Sequence, residues 1–218
     1  MQSTKENILS HLKRTGGGTV DALAGEFGLA RMTVRQHLAT LERDGLVVSR
    51  EERQRKGRPR LLFTLSDGGQ ELFPKRYDRL ADLALQEVGS LEAEDIAGLS
   101  PTEKKRFLLL RMAERVYHQH ESRVRDRPLP ERVAIVTDIL REEGGFAEWK
   151  GAGAEFEIAD HNCVYRRVVD THRDLCEWHL SLLGRLLGRE VECTQFQSQG
   201  AESCRFIVRG QQQVTSGQ

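Results

Sequence analysis

Apolar residues recur at helical spacing through the first forty or so positions and then gather into two short runs, which predicts three helices followed by a pair of strands. Over residues 4–14, Ile8, Leu9 and Leu12 fall on one helical face, and Gly16-Gly17-Gly18 ends the segment. Thr19 is placed to cap a second short helix with Val20, Leu23, Ala24 and Phe27 as its apolar residues; Gly28 breaks it. A third helix covers residues 30–44, with Val34, Leu38 and Leu41 inward at i, i+4 and i+7, and Gly45 stops it. Leu46-Val47-Val48 then reads as a strand, residues 50–60 as a charged run, and residues 61–65 as a second strand.

Residues 66–88 return to a helical pattern, with Pro74 as an entry or a kink because proline removes an intrahelical donor. Residues 89–100 are polar and read as a linker. Helices are predicted over residues 102–125, carrying Phe107, Leu108, Leu110, Val116 and Tyr117, and over 130–143, closed by Gly144-Gly145. Strands are predicted at 146–150 and 155–159 around Gly151-Ala152-Gly153, a helix at 173–187, and final strands at 192–196 and 205–208. No internal repeat is visible. The expected fold class is α+β, mainly α. A helix-turn-helix with a hairpin wing occupies residues 1–66 and linking helices 67–125. A C-terminal α+β domain with a small antiparallel sheet follows at 126–210, with a disordered tail at 211–218.

Composition adds an asymmetry. The 218 residues carry 33 basic and 33 acidic side chains, yet residues 1–80 hold 15 Lys and Arg against 10 Asp and Glu, so a balance of +5 in front is offset by −5 behind. A basic front part suits a polyanion, while the acidic remainder serves another purpose. No run approaches the length of a membrane span, and the N-terminus lacks the apolar core of an export signal, so a cytoplasmic location is expected.

The third helix leaves Arg31, Thr33, Arg35, Gln36 and Thr40 on its outward side, groups suited to base edges and phosphates in a major groove. Arg53, Arg55, Lys56, Arg58 and Arg60 in the wing add cations for phosphate. The stretches TVDALAGEFGLARMTVRQHLATLERDGLV and RKGRPRLLFTLSDGGQELFPKRYDRLA resemble the winged helix-turn-helix of bacterial regulators near the DeoR and ArsR groupings. That resemblance implies a homodimer on a near-palindromic duplex operator. Ala30 stands where such helices often carry a Ser cap, a loss of about 1 kcal/mol.

All four cysteines, Cys163, Cys176, Cys193 and Cys204, lie in one window with spacing C-x12-C-x16-C-x10-C. In a chain without an export signal they read as metal ligands or redox groups rather than structural bridges. The intervals are too wide for zinc-ribbon knuckles and suit a cage closed by tertiary folding; a [4Fe–4S] cluster and a tetrahedral zinc both need four ligands. HNC, twelve residues, LCEWHLSLLGRLLG and a two-strand end with a late cysteine resemble SufR-type regulators. These repress iron–sulfur assembly operons and hold a [4Fe–4S] cluster. The resemblance puts Cys163, Cys176 and Cys204 in ligand positions. Cys193 is a fourth ligand or a bystander, and His161, His172, His179 or a carboxylate are alternatives to it. Trp149 and Trp178 are read as packing aromatics, with Trp178 also able to shield a cluster from water.

No phosphate-binding loop, nucleophile elbow or zinc-protease motif is present, so an enzyme is not expected. The expected function is a dimeric repressor with an iron–sulfur sensor. The alternatives are a zinc or apolar small-molecule receptor, or a thiol switch pairing Cys193 with Cys204. The linking helices, through Leu80, Leu83, Phe107, Leu110 and Val116, are candidates for the dimer interface or for packing within one protomer.

Overall fold

Ser3 opens the fold with a reciprocal cap. Its hydroxyl accepts from the Glu6 amide at 3.3 Å, and the Glu6 carboxylate accepts from the Ser3 N–H at 2.7 Å, starting α1 (Thr4–Thr15). Thr19 caps α2 (Val20–Phe27) through its hydroxyl, and Gly28 ends it in the left-handed region at φ 63°. Then comes α3 (Arg31–Arg43), for which Ala30 offers no side-chain acceptor. Strands β1 (Val47–Glu52) and β2 (Arg60–Leu65) form the antiparallel wing, in register from Val47 opposite Leu65 to Glu52 opposite Arg60.

The protein is described by a computed structural model over residues 3–52 and 59–210. Ile8, Leu12, Leu23, Val34, Leu38, Leu41, Val47 and Phe63 are buried and make the core of the first of two units, Met1–Pro74. Gly18 ties the wing to the helices by exchanging both backbone hydrogen bonds with Phe63. The neighbouring Gly17 sits at φ 156°, where a Cβ would come within 2.9 Å of the Phe63 carbonyl oxygen.

The single helix expected over residues 66–88 is two: α4 (Asp67–Glu71), capped by the Ser66 hydroxyl, and α5 (Tyr77–Gly89). Pro74 lies in the break. It lacks the N–H a helix would use, and it biases Phe73 away from helical backbone.

The second unit, Lys75–Gln218, begins near α5. Within the expected linker a short 3-10 turn spans Glu94–Ile96. Long helix α6 (Pro101–Val124) starts from a second Ser/Glu capping box, Ser100 with Glu103, and is followed by α7 (Leu129–Glu142). Strands β3 (Ala147–Ala152) and β4 (Glu155–Asp160), helices α8 (Arg166–Thr171) and α9 (Asp174–Leu187), and strands β5 (Val191–Gln195) and β6 (Cys204–Arg209) complete it. The sheet is antiparallel throughout, ordered β3-β4-β6-β5. Phe156, Ile158, Phe206 and Val208 alternate onto one face and pack with Met112, Ala113 and Val116 of α6, Val133 and Val136 of α7, and Leu182, Leu183 and Leu186 of α9. Leu83 and Val116, two of the proposed interface residues, are therefore used in this core, whereas Leu85, Val88 and Leu110 remain exposed.

Candidate nucleic-acid interface and thiol site

Val34, Leu38 and Leu41 anchor α3 with one side inward. This leaves Arg31, Arg35 and Gln36 exposed and Thr33 and Thr40 half-buried. Thr40 spends its hydroxyl on the Gln36 carbonyl at 2.9 Å, so of the five it is the least free to read a base. Arg31 Nε sits 2.9 Å from Asp21 Oδ1 of α2 in an exposed pair, a link of at most about 1 kcal/mol that a phosphate can displace. Met32, absent from the sequence reading, is 62% exposed beside them. An apolar side chain at the start of such a helix suits a thymine methyl, and the only sequence signal for it was an apolar residue off the buried stripe. In the wing, Arg60 pairs with Glu52 at 2.6 Å; Arg53, Arg55, Lys56 and Arg58 lie outside the described residues.

The four cysteines come from four places and face one region of the second unit. Cys163 follows β4, Cys176 is in the first turn of α9, Cys193 is in β5 and Cys204 opens β6. Opposite partners in the ladders share a face, so Asp160 and Cys204, then Cys193 and Phe206, all lie on the core side of the sheet. The thiols are half-buried and free. Each is within electrostatic reach of others: Cys163 of Cys176 and Cys204, and Cys193 of Cys176 and Cys204. Burial raises all four pKa values. It takes Cys163 to about 11, against the backbone hydrogen bond at Tyr165, and Cys193 to about 11, against those at Gln195 and Arg205. Burial also raises Cys176, against the Ser198 hydrogen bond, and raises Cys204, against the backbone hydrogen bond of Gln197.

One short segment, residues 195–198, touches three of the thiols and the backbone of the fourth. The Cys163 N–H donates to Gln197 Oε1 at 2.8 Å, and the Gln197 N–H donates to Cys204 Sγ at 3.4 Å. Ser198 Oγ is 3.7 Å from Cys176 Sγ, and the Cys193 thiol donates to the Gln195 carbonyl at 3.0 Å. Among the described residues, no three His, Cys, Asp or Glu side chains are close enough together to hold a metal ion. The donor set itself, four soft sulfurs in one neighbourhood, matches an iron–sulfur cluster or zinc in chemistry, while its spacing in this thiol form does not.

The three histidines separate. His161 is buried against Glu148 at 3.3 Å, His172 is exposed at the end of α8, and His179 follows Cys176 by one helical turn. Burial lowers the His179 pKa to about 4, so its imidazole is neutral. Trp178 is buried, edge-on to Tyr165 at 5.5 Å, whereas Trp149, expected to pack, is exposed on β3.

A cavity of about 80 Å³ adjoins the thiols, lined by Cys163, Cys204 and Gln197 together with Val136, Leu182 and Phe206. His120 Nε2, Glu143 Oε2 and Trp178 Nε1 belong to its lining residues, are buried, and lack a hydrogen-bond partner among the described residues.

The winged helix-turn-helix DNA-binding family matches residues 1–48, which run from the start of the chain through α3 into β1. No curated protein matches the chain. Among solved structures, a MarR family transcriptional regulator from Silicibacter pomeroyi is similar at 20% identity and a TM-score of 0.29, covering 55% of this chain and 72% of that one. Bacillus subtilis PadR in complex with operator DNA is similar at 19% identity and a TM-score of 0.28, covering 64% and 90%. The family match and the folded α1–α3 and wing identify a winged helix-turn-helix of the DNA-binding kind at the front of the chain. Among the described residues, no helix is long and apolar enough to cross a membrane.

Proposed function

We propose that this regulator is a homodimeric repressor of iron–sulfur assembly genes, and that its C-terminal unit senses iron–sulfur or redox status. It would do so through a [4Fe–4S] cluster on Cys163, Cys176 and Cys204, with Cys193 as the fourth ligand. The observation that carries the reading is the convergence of every cysteine in the chain, from four separate elements, on one mutually coupled neighbourhood. When bound, the cluster supplies a redox- and oxygen-sensitive tie between β4, α9, β5 and β6. Cys176 in the first turn of α9 puts a charged sulfur where the helix dipole favours it. Leu85 and Val88 on α5 and Leu110 on α6 offer the exposed apolar surface for a second copy. A two-fold dimer sets its recognition helices about one DNA turn, roughly 34 Å, apart.

The test is iron and sulfide analysis on anaerobically prepared protein. A brown protein with broad visible absorbance, lost in Cys163→Ser, supports the reading; a colourless protein with one stoichiometric zinc overturns it.

A second reading, a receptor for a small apolar molecule with one polar function, is favoured by the cavity and by its buried His120 Nε2 and Trp178 Nε1, which have no hydrogen-bond partner among the described residues. Phenol is the probe. A rise in melting temperature that Trp178→Phe removes supports it, and no rise at millimolar phenol overturns it.

A further inference from the structure

The four thiols share a neighbourhood, yet among the described residues no three potential ligands meet closely enough for a metal. What each thiol or its backbone contacts instead is residues 195–198. Gln197 is the centre of that segment. It is 4% exposed, its Oε1 accepts from the Cys163 N–H at 2.8 Å, its Nε2 donates to the Glu202 carbonyl at 2.9 Å, and its own N–H donates to Cys204 Sγ at 3.4 Å. Gln195 and Ser198 complete the set by engaging Cys193 and Cys176. An irregular backbone bounds the segment on each side. A register shift between Cys193 and Gln195 interrupts its pairing on one side, and Gly200, in the left-handed region at φ 90° with open space around it, ends the 3-10 turn on the other.

We propose that residues 195–198 are a latch on the thiol site, with Gln197 as its positioning residue. Closed, the latch fixes the thiols in a separated arrangement; ligation of one soft-metal centre by all of them requires it to withdraw. The second half rests on the reading of the cysteines as metal ligands; the first does not. The Cys193 thiol spends its hydrogen on the Gln195 carbonyl, and a metal-bound thiolate has none to give, so that contact must break on ligation while Gln197 holds the backbone of Cys163 in its separated place. Gln197 touches no metal in this scheme and acts through Cys163 and Cys204.

Metal-free, reduced protein is mixed with the disulfide reagent DTNB under stopped flow. Gln197→Ala removes both side-chain bonds and is expected to raise the reaction rate of Cys163 and Cys204 about tenfold, with far-ultraviolet circular dichroism unchanged. Gln197→Glu, which can still accept from the Cys163 N–H, should restore part of the slow rate. Equal rates in wild type and a folded Gln197→Ala overturn the latch. Should Gln197→Ala fail to fold, hydrogen exchange on the wild type titrated with Cd²⁺ decides. Faster exchange at the Cys163 and Gln197 amides, with β4 and β6 still protected, supports withdrawal, and unchanged exchange in the cadmium-bound protein overturns it. A wild type that gives no cadmium–thiolate absorbance overturns the metal reading itself, whereas the reactivity comparison is decided without any metal.

Discussion

Glu87 is 2% exposed, and its carboxylate is bound by Arg111 and Arg115, with Arg111 also reaching Asp95 at 3.1 Å. Burial pushes its pKa up, but the hydrogen bonds and charges of the two arginines outweigh burial and leave it below the usual carboxylate value. A carboxyl that binds its proton less readily when folded stabilises the fold above its unfolded pKa, near 4.5, and loses that contribution as pH falls through the lowered folded value. Glu87→Gln is expected to cost about 2 kcal/mol at neutral pH. The melting temperatures of variant and wild type should converge as the pH is taken well below 4.5, and a constant gap would show that charge is not what Glu87 contributes.

At the same scale, Arg35 is exposed on α3 whereas Arg31 already has Asp21. Arg35→Ala should weaken binding to duplex DNA and lower the slope of log affinity against log salt by about 1. Asp21→Asn should tighten binding by releasing Arg31 and removing a negative charge. Fluorescence anisotropy across a salt series measures both.

Among elements, the first three helices were legible because each carries its own punctuation. Glycines at 16, 28 and 45 end them, and Thr19 caps α2 with the bond its position predicts. The Ser-x-x-Glu boxes at Ser3 and Ser100 were not read from the sequence, although both patterns stand in it. The failures have local causes. The pattern over residues 66–88 stays helical on both sides of Pro74, so only the chain geometry revealed two helices. Helix α8 has six residues and one fully buried apolar side chain, Val169, too little periodicity to see. The thiol site was half legible. The clustering of cysteines was visible, but their separation by residues 195–198 depends on contacts between segments far apart in sequence, which spacing cannot report.

An element-level test follows from the close seat of α4 on the start of the wing. A Cβ at Gly69 would sit 2.0 Å from the Leu46 carbonyl oxygen. Gly69→Ala must displace one or the other, at a cost of about 2 kcal/mol or more. A variant that melts with the wild type would mean that α4 moves freely.

For the molecule as a whole, the two units have separate cores, Leu12, Leu38 and Phe63 in one and Ile158, Leu183 and Phe206 in the other. Leu38→Ala and Leu183→Ala should each lower stability by about 3 kcal/mol. Calorimetry should assign each loss to its own unit if they unfold apart. DNA affinity should suffer more from Leu38→Ala, which loosens the helix that carries Arg35, than from Leu183→Ala. Under the sensing proposal, removing the metal centre from wild type should change DNA affinity, and Cys163→Ser should abolish the difference between the two preparations.

The half-sunken sulfurs have a chemical consequence. With a pKa of about 11, only about one Cys163 side chain in ten thousand is anionic at pH 7. Peroxide and alkylating agents react with the anion, so the reduced protein should be sluggish toward both. Exposure to air then leaves Cys163 a thiol, where a surface cysteine would drift toward sulfinic acid.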